Sequence, residues 1–414
     1  MPGPVAVSRS RLLTRLTLTV AAERPGPRAA EPGLPPSSAA GPTCRYPGVL
    51  DLDRLLRTAV EQRASDLHLK VGTRPWLRVD GALVETPLDT VETGDTEQAA
   101  ARLLSTPQGE VLQRTGDAEC VYAVAGLARF RVSAFRQRGR TGLVLRRVVP
   151  GVPGLEALGL PPVLATLIDL PSGLILVAGL AGSGRTSTMA AMVDHVNASA
   201  RRHIVTIEHP IEVLHADKVS IVDQREVGVD VDGVPEALAR VVRQDPDLIV
   251  VGEIADEASA RGVLEAADTG HLVLAGVATV GATEAVDRLL DWFPRDRHAN
   301  ARLLLARTLR GMVSQRLLAR AGGRGRVAAA EVLVSNGAVA AAIADGRDAE
   351  RLEVLMRDGE YYGMQTFDQA IARLYERGLV ERDVALDHAS YGPALRLELE
   401  RIDRERSQPL PAPA

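Results

Sequence analysis

Residues 173–187 read GLILVAGLAGSGRTS and join an apolar segment to a glycine-rich loop. This stretch opens with an apolar run of the kind typical of a strand buried in a parallel sheet. The glycines that follow let backbone N–H groups point inward and hold phosphate oxygens, and the helix expected next adds the positive end of its dipole. A plain helix-capping turn is the alternative. The residues predicted to bind phosphate are Gly179, Gly182, Ser183, Gly184, Arg185, Thr186 and Ser187.

The match to the ATP-binding pattern G-x-x-x-x-G-K-[ST] is incomplete, because Arg185 stands at the lysine position. Of the 49 basic residues only Lys70 and Lys218 are lysines, so the chain prefers arginine wherever a cation serves. A guanidinium still attracts phosphate, but its planar fork differs from a compact ammonium. Thr186 is the predicted ligand of the Mg²⁺ that accompanies ATP.

Two glutamates end apolar segments in this part of the chain. Glu208 ends the run VTIE, and Glu253 follows LIVVG. Carboxylates at the carboxyl ends of strands beside a phosphate loop are well placed to hold Mg²⁺ or to activate water. We therefore predict both as catalytic, with Glu253 as the base that activates the attacking water; solvated strand ends are the alternative.

The pattern of the chain predicts an α/β protein with two folded domains. Residues 1–46 are rich in Pro, Gly and Ala and are expected to form a disordered extension. Residues 47–149 form a small α/β domain, and residues 150–161 form a linker. Residues 162–400 alternate strands and helices, which predicts a mostly parallel sheet, with helices dominant from about residue 282. Residues 401–414 form a tail.

Composition narrows the function classes. The formal net charge is −4 and aromatic residues make up 3%, which disfavours a nucleic-acid motor. The two cysteines, Cys44 and Cys120, form neither a zinc motif nor a disulfide framework, as expected for a protein of the cytoplasm. No apolar run reaches the length of about 18 residues that spans a bilayer.

Several motifs occur together in one order across residues 50–395 and carry a resemblance to a known family. They are SDLHL, RVDG, RFRV-x-x-FRQRG, GSG, TIE-x-PIE, QREVG, RQDPDLIVVGE, DTGHLVL, SQRLL and MQTFDQAI. The chain resembles the PilT-type ATPases that retract type IV pili, within the wider family of secretion and pilus motor ATPases. The wider family's extension and secretion ATPases carry a four-cysteine zinc element, and this chain has none.

The resemblance implies a PAS-like N-terminal domain followed by a RecA-like ATPase domain. It also implies a homohexameric ring with ATP and Mg²⁺ held between the two domains, at the inner face of the plasma membrane. The implied partners are an inner-membrane pilus platform protein and a PilT-like paralogue. Arginines of the N-terminal domain approach the nucleotide in such rings, although a basic solvated strand face is the alternative here. The matching residues are Arg129, Arg131, Arg136 and Arg138.

Departures from the family pattern leave two functions open. Besides Arg185, His209 replaces an Asp, Ala255 replaces an Arg, and Ala278 replaces a His in a box that usually reads TLHT. Residues 338–346 read AVAAAIADG where the family has an AIRNLIRE-like segment. The chain is predicted to be a retraction-type motor ATPase; the alternative is a pseudo-ATPase or regulatory subunit that binds nucleotide weakly and assists a competent motor.

Overall fold

The computed structural model describes residues 50–407, except residues 80, 149, 150, 324 and 347. The predicted disordered extension 1–46 and the last residues of the predicted tail, 408–414, lie outside the described residues. Two sheets are separated along the chain by turns within residues 151–162. Among the helices between residues 50 and 407, none is both long and apolar enough to cross a lipid bilayer.

The first sheet has six strands, and every pairing in it is antiparallel. Its spatial order is β3-β2-β1-β6-β5-β4. Side chains from α1 and α2 join the apolar face of the strands in one core, in which Leu56, Phe130 and Leu145 are buried. The elements are α1 (Leu52–Glu61), β1 (Asp66–Leu69), β2 (Trp76–Val79), β3 (Ala82–Glu85), α2 (Thr93–Leu103), α3 (Thr106–Thr115), β4 (Asp117–Val124), β5 (Ala128–Gln137) and β6 (Arg140–Val148).

The second sheet has seven strands, ordered β13-β12-β7-β11-β10-β8-β9, and only β12 and β13 pair antiparallel. The mostly parallel sheet predicted from the apolar runs is thus observed. Its elements are α4 (Val163–Ile168), β7 (Gly173–Ala178), α5 (Arg185–Ser199), β8 (His203–Glu208), β9 (Ile221–Glu226), α6 (Val234–Val241), β10 (Leu248–Val251), α7 (Glu257–Asp268), β11 (Leu272–Val277), α8 (Ala282–Asp291), α9 (His298–Thr308), β12 (Leu309–Ala319) and β13 (Arg326–Val334).

Helices cover both faces of this sheet. Leu174 and Leu176 of β7 belong to the core formed with α7 and α8, whereas Ile175 and Val177 belong to the core formed with α5. Successive strand residues point to opposite faces, so a strand covered on both sides must be apolar at every position. This requirement explains why β7, β10 and β11 are buried throughout.

The structure adds to two expectations about secondary structure. Helices predominate from residue 282 onward, as predicted, but the long hairpin of β12 and β13 lies among them. Its many Ala and Leu residues are strong helix formers, and its strands are buried without regular alternation, so the sequence pattern did not indicate strands. The predicted tail 401–414 begins inside the last helix, which continues to Ser407. The C-terminal helices are α10 (Gly337–Asp345), α11 (Asp348–Arg357), α12 (Phe367–Glu376), α13 (Arg382–Asp387) and α14 (Gly392–Ser407).

The parallel pairing sets the position of the candidate site. Ile207 of β8 pairs with Val251 of β10, and Val251 pairs with Ala275 of β11. Since β11 also pairs with β7, four strands end at one edge of the sheet. Loops at the carboxyl ends of parallel strands form the ligand crevice of such sheets.

Candidate functional site

The loop of residues 179–184 connects β7 directly to the first residue of α5. Two of its glycines are required by the backbone. Gly184 has φ of +92°, and a Cβ atom at Gly179 would lie 2.2 Å from Oγ of Ser183. The 15 residues of α5 begin directly after Gly184, so free N–H groups and the positive end of the helix dipole lie at the loop. The loop therefore has the shape and polarity that phosphate binding requires.

A buried glutamine fastens this loop to the sheet. Gln315 of β12 is 4% exposed, and its Nε2 donates to the carbonyl oxygen of Ser183 at 3.0 Å. Its Oε1 accepts a hydrogen bond from the hydroxyl of Thr188 in α5. The sequence pointed to SQRLL only as a family motif and missed this role. A polar residue within an otherwise apolar strand was the available signal, since buried polar groups are hydrogen-bonded as a rule.

Arg185 contacts both the loop and the predicted base. Its Nη1 donates to the carbonyl oxygen of Gly179 at 3.1 Å, and its Nη2 donates to Oε2 of Glu253. The Arg185 side chain is 17% exposed and that of Glu253 is 48% exposed. The cation that stands at the lysine position is thus ion-paired with the carboxylate that follows β10.

Glu208 ends β8 beside Glu253. A Cβ atom at Gly252 would lie 3.5 Å from Cα of Glu208, so the two strand ends are in contact. Glu208 Oε1 accepts hydrogen bonds from the hydroxyl of Thr206 at 2.7 Å and from Nε2 of Gln224 at 3.1 Å. Burial raises the pKa of the Glu208 carboxyl, and the nearby carboxylates of Glu212 and Glu226 add to that effect. A raised pKa in a crevice is typical of groups that act in catalysis.

The hydroxyl residues of the loop differ in exposure. Ser183 Oγ is buried and has no hydrogen-bond partner among the described residues. Thr186, in the first turn of α5, is half-buried, and Ser187 is exposed. An orphaned buried hydroxyl at a phosphate loop is free to bond a ligand oxygen. The structure therefore brings the seven predicted phosphate-binding residues together with both predicted carboxylates.

Comparison with known proteins identifies the family. The family described as "Type II/IV secretion system protein" matches residues 46–373. The chain belongs to this family. It is 38% identical over 340 residues to the "Type IV pilus retractation ATPase PilT" of Pseudomonas aeruginosa, which covers 82% of this chain and 98% of that protein. It is 35% identical over 351 residues to the "Type IV pilus ATPase PilU" of the same organism, which covers 85% of this chain and 92% of that protein.

A solved structure of this family gives the same result. The structure described as "Crystal Structure of the Pilus Retraction Motor PilT and Bound ADP" superposes with a TM-score of 0.77 at 35% sequence identity. The match covers 84% of this chain and 99% of that chain. The predicted resemblance to PilT-type ATPases is confirmed, and the chain is a homologue of the PilT and PilU motors of twitching motility.

Within this family member, the predicted N-terminal arginines do not hydrogen-bond to the phosphate loop among the described residues. Arg131 of β5 binds Glu119 on β4 at 2.9 Å and Glu212, which follows β8, at 3.3 Å. Strand alternation places Arg129 on the same face of β5 and Arg136 on the opposite face. In the part of the chain that the structure describes, none of the three hydrogen-bonds to residues 179–187.

Three of the positions that depart from the family pattern are exposed. His209, Ala255 and Ala278 follow β8, β10 and β11 respectively. The segment AVAAAIADG covers residues 338–345 of α10 and its C-cap Gly346, and Val339, Ala342 and Ile343 of this helix are buried. The three exposed changes therefore leave the buried frame of the site in place.

Proposed function

We propose that the chain is a retraction-type motor subunit that hydrolyses ATP and couples hydrolysis to the disassembly of a type IV pilus. The observation that carries this proposal is the arrangement of one sheet edge. A glycine-rich loop fastened by Gln315, the guanidinium of Arg185 and two carboxylates, Glu208 and Glu253, lie there. Those are the parts that phosphoryl transfer to water requires.

Each residue has a definite role in the proposed reaction. Backbone N–H groups of the loop and the N-terminus of α5 bind the phosphates, and Arg185 supplies positive charge. The hydroxyl of Thr186 and the carboxylate of Glu208 are oxygen donors of the kind that Mg²⁺ prefers, and they lie at the same edge. Bound Mg²⁺ would neutralise charge on the phosphates. Glu253, exposed at the crevice, accepts the proton of the attacking water.

The division of the chain supports the family arrangement. We assign residues 47–149 to a PAS-like domain, since helices pack against their antiparallel sheet in one shared hydrophobic core. Residues 162–400 form the RecA-like domain, and residues 150–161 form the linker. In a homohexameric ring at the cytoplasmic face of the inner membrane, Arg129, Arg131 and Arg136 reach the nucleotide of a neighbouring subunit. Among the described residues of one chain, none of these arginines hydrogen-bonds to residues 179–187, which is compatible with a role between subunits.

The ring works on a pilus platform protein of the inner membrane, with a PilT-like paralogue as a further partner. A pseudo-ATPase that assists another motor is the competing function, and the contact of Arg185 with Glu253 is the observation that favours it. The two functions differ in one measurable property, which is turnover of ATP by the purified chain.

Phosphate release by the purified full chain with Mg²⁺ and ATP tests the proposal. We expect steady turnover that falls by about 100-fold or more in Glu253→Gln, since general-base catalysis contributes factors of about 10² to 10⁴. Glu257→Gln is the matched control, because Glu257 lies only four residues along the chain and is ion-paired with Arg261 on the surface of α7. Turnover that is absent from the unaltered chain would reject the motor function, and equal turnover in both variants would reject Glu253 as the base.

A second measurement addresses the pilus. Expression of the chain in a twitching bacterium that lacks its retraction motor should restore surface motility, and the Glu253→Gln chain should not. Hydrolysis without restored motility would retain the ATPase and remove the retraction role.

A further inference from the structure

Gly276 of β11 lies against the peptide that follows β10. A Cβ atom at this position would lie 2.2 Å from the carbonyl oxygen of Gly252 and 3.4 Å from Nε of Arg185. The carbonyl oxygen of Gly276 accepts a hydrogen bond from the N–H of Ile254 at 2.8 Å. Any side chain at position 276 would push the peptide of residues 252 and 253 away from β11.

This close approach brings Glu253 within reach of Arg185. The peptide between Gly252 and Glu253 is held against the glycine, and the Glu253 carboxylate then meets the guanidinium of Arg185. Position 276 is also where the family box has threonine, and position 185 is where the phosphate-loop pattern has lysine. The two departures from the pattern therefore lie in contact with each other, and the removal of a side chain at one position makes space for the longer side chain at the other.

We propose that Arg185, Gly276 and Glu253 form a clamp, in which the guanidinium of Arg185 holds the water-activating carboxylate until nucleotide phosphates displace it. The phosphates compete with the Glu253 carboxylate for the same guanidinium. Binding of nucleotide thus releases Glu253 to act as a base. Gly276 is a positioning residue, because it permits the contact without touching the substrate. This inference rests on the proposed ATPase function.

In the clamp, the residues that depart from the pattern at positions 185 and 276 act together. A guanidinium offers two Nη groups in a fixed plane, so it can bind the loop carbonyl of Gly179 and the carboxylate of Glu253 at once. An ammonium at the end of a shorter side chain does not present that geometry. Competition between the Glu253 carboxylate and the nucleotide phosphates should therefore lower the nucleotide affinity of this chain, and a lysine variant should lack this competition.

Binding of the fluorescent, non-hydrolysable analogue mant-AMPPNP with Mg²⁺ tests the clamp in four chains. These are the unaltered chain, Glu253→Gln, Arg185→Lys and the double variant. Removal of the carboxylate should tighten binding at least fivefold in the chain with Arg185, because the competitor for the guanidinium is gone. It should tighten binding less than twofold in the Arg185→Lys chain. Equal tightening in both backgrounds would overturn the clamp, since loss of simple charge repulsion acts on both alike.

Gly276→Ala gives an independent test with a different signature. The displaced peptide should break the contact, so affinity for mant-AMPPNP should rise about as much as in Glu253→Gln, while kcat for ATP falls because the base is displaced. Adding Glu253→Gln to Gly276→Ala should then change affinity less than twofold. A glycine with a merely structural role would give weaker binding instead, and that result would reject the positioning role. Gly337→Ala, whose Cβ would meet nothing within 4 Å, is the control.

The outcomes separate the clamp from the proposed function. If no chain in the set binds mant-AMPPNP, the nucleotide site itself is wrong and the clamp falls with it. If all chains bind and the effects of the two substitutions are independent, the site stands and only the clamp is refuted. Should Gly276→Ala fail to fold, the unaltered chain and the three variants at residues 185 and 253 decide the question alone.

Discussion

The fastening of the phosphate loop by Gln315 makes a quantitative prediction. Gln315→Ala removes the hydrogen bond to the Ser183 carbonyl, which is 3.0 Å long, and the bond from the Thr188 hydroxyl. Thr188 is fully buried and Ser183 is 8% exposed, so water reaches neither group well. The substitution therefore leaves a buried donor and a buried acceptor without partners.

The size of the effect follows from these two groups. A buried polar group left unsatisfied costs about 1–3 kcal/mol, so the loss of partners for two groups should lower the free energy of unfolding by about 2–6 kcal/mol. Part of this lost free energy destabilises the binding-competent conformation of the loop. Nucleotide must then restore that conformation when it binds, at the expense of its affinity. A share of about 2 kcal/mol corresponds to roughly 30-fold weaker nucleotide affinity, since about 1.4 kcal/mol is a factor of ten.

A second buried glutamine provides the matched control. Gln365 is 8% exposed, and its Nε2 donates to the carbonyl oxygen of Ala330 at 2.7 Å, while Arg373 donates to its Oε1 at 2.6 Å. It contacts no residue of the phosphate loop. Urea unfolding should show comparable destabilisation for Gln315→Ala and Gln365→Ala, whereas titration with mant-AMPPNP should show weaker binding for Gln315→Ala alone. Equal affinities for the two variants would refute the role of Gln315 in holding the loop.

Three further predictions test other parts of the molecule. Burial raises the pKa of the Glu331 carboxyl above its ordinary value of 4.5, so the unaltered chain loses stability as pH rises from 4.5 through the folded-state pKa. In urea unfolding measured across this pH range, Glu331→Gln should therefore gain stability relative to the unaltered chain. A difference in stability that stays constant with pH would contradict the raised pKa. Arg131→Ala should change the free energy of unfolding by less than about 1 kcal/mol, because the ion pairs of Arg131 are partly exposed. If Arg131 acts on the nucleotide of a neighbouring subunit, the same substitution should abolish phosphate release by assembled rings. Unchanged phosphate release would exclude this role between subunits. Ala278→His places an imidazole at an exposed rim position and should raise kcat about tenfold or more by adding a donor for transition-state charge, with no increase expected if the rim does not face the phosphates.

The sequence was sufficient to predict the parts of the site that local pattern controls. The glycine loop has a fixed spacing, and Glu208 and Glu253 each follow an apolar strand, so parallel pairing alone brings them together. The antiparallel and parallel sheets were likewise predictable from alternating and continuous apolar runs. Each of these features depends on residues that are close in sequence, together with the rule that parallel strands place their carboxyl ends at one edge of the sheet.

Contacts between distant residues were beyond that approach. Gln315 lies 132 residues from Ser183, and only the pairing of β12 with β7 shows that its side chain reaches the loop. The contact of Arg185 with Glu253 spans 68 residues and depends on how closely β10 and β11 approach. The hairpin of β12 and β13 was missed because alanine and leucine carry little information about the period. Such features arise from tertiary packing and leave only a weak local signal.

The position of the family departures bears on whether the site works. Exposed rim positions such as His209 and Ala278 can change at little cost to folding, so changes there say little about activity by themselves. Buried polar groups are different, because replacement of both partners of a buried hydrogen bond by apolar groups is nearly neutral or stabilising. Burial raises the pKa of Glu208, so its ionised form lowers the stability of the folded chain at neutral pH. In a chain that no longer used the nucleotide, apolar residues could replace the pair of Gln315 and Thr188 at little cost. A neutral amide at position 208 could still accept the hydrogen bonds of Thr206 and Gln224 without the cost of a buried charge. The presence of Glu208, Gln315 and Thr188 together therefore favours a working motor over an inactive subunit.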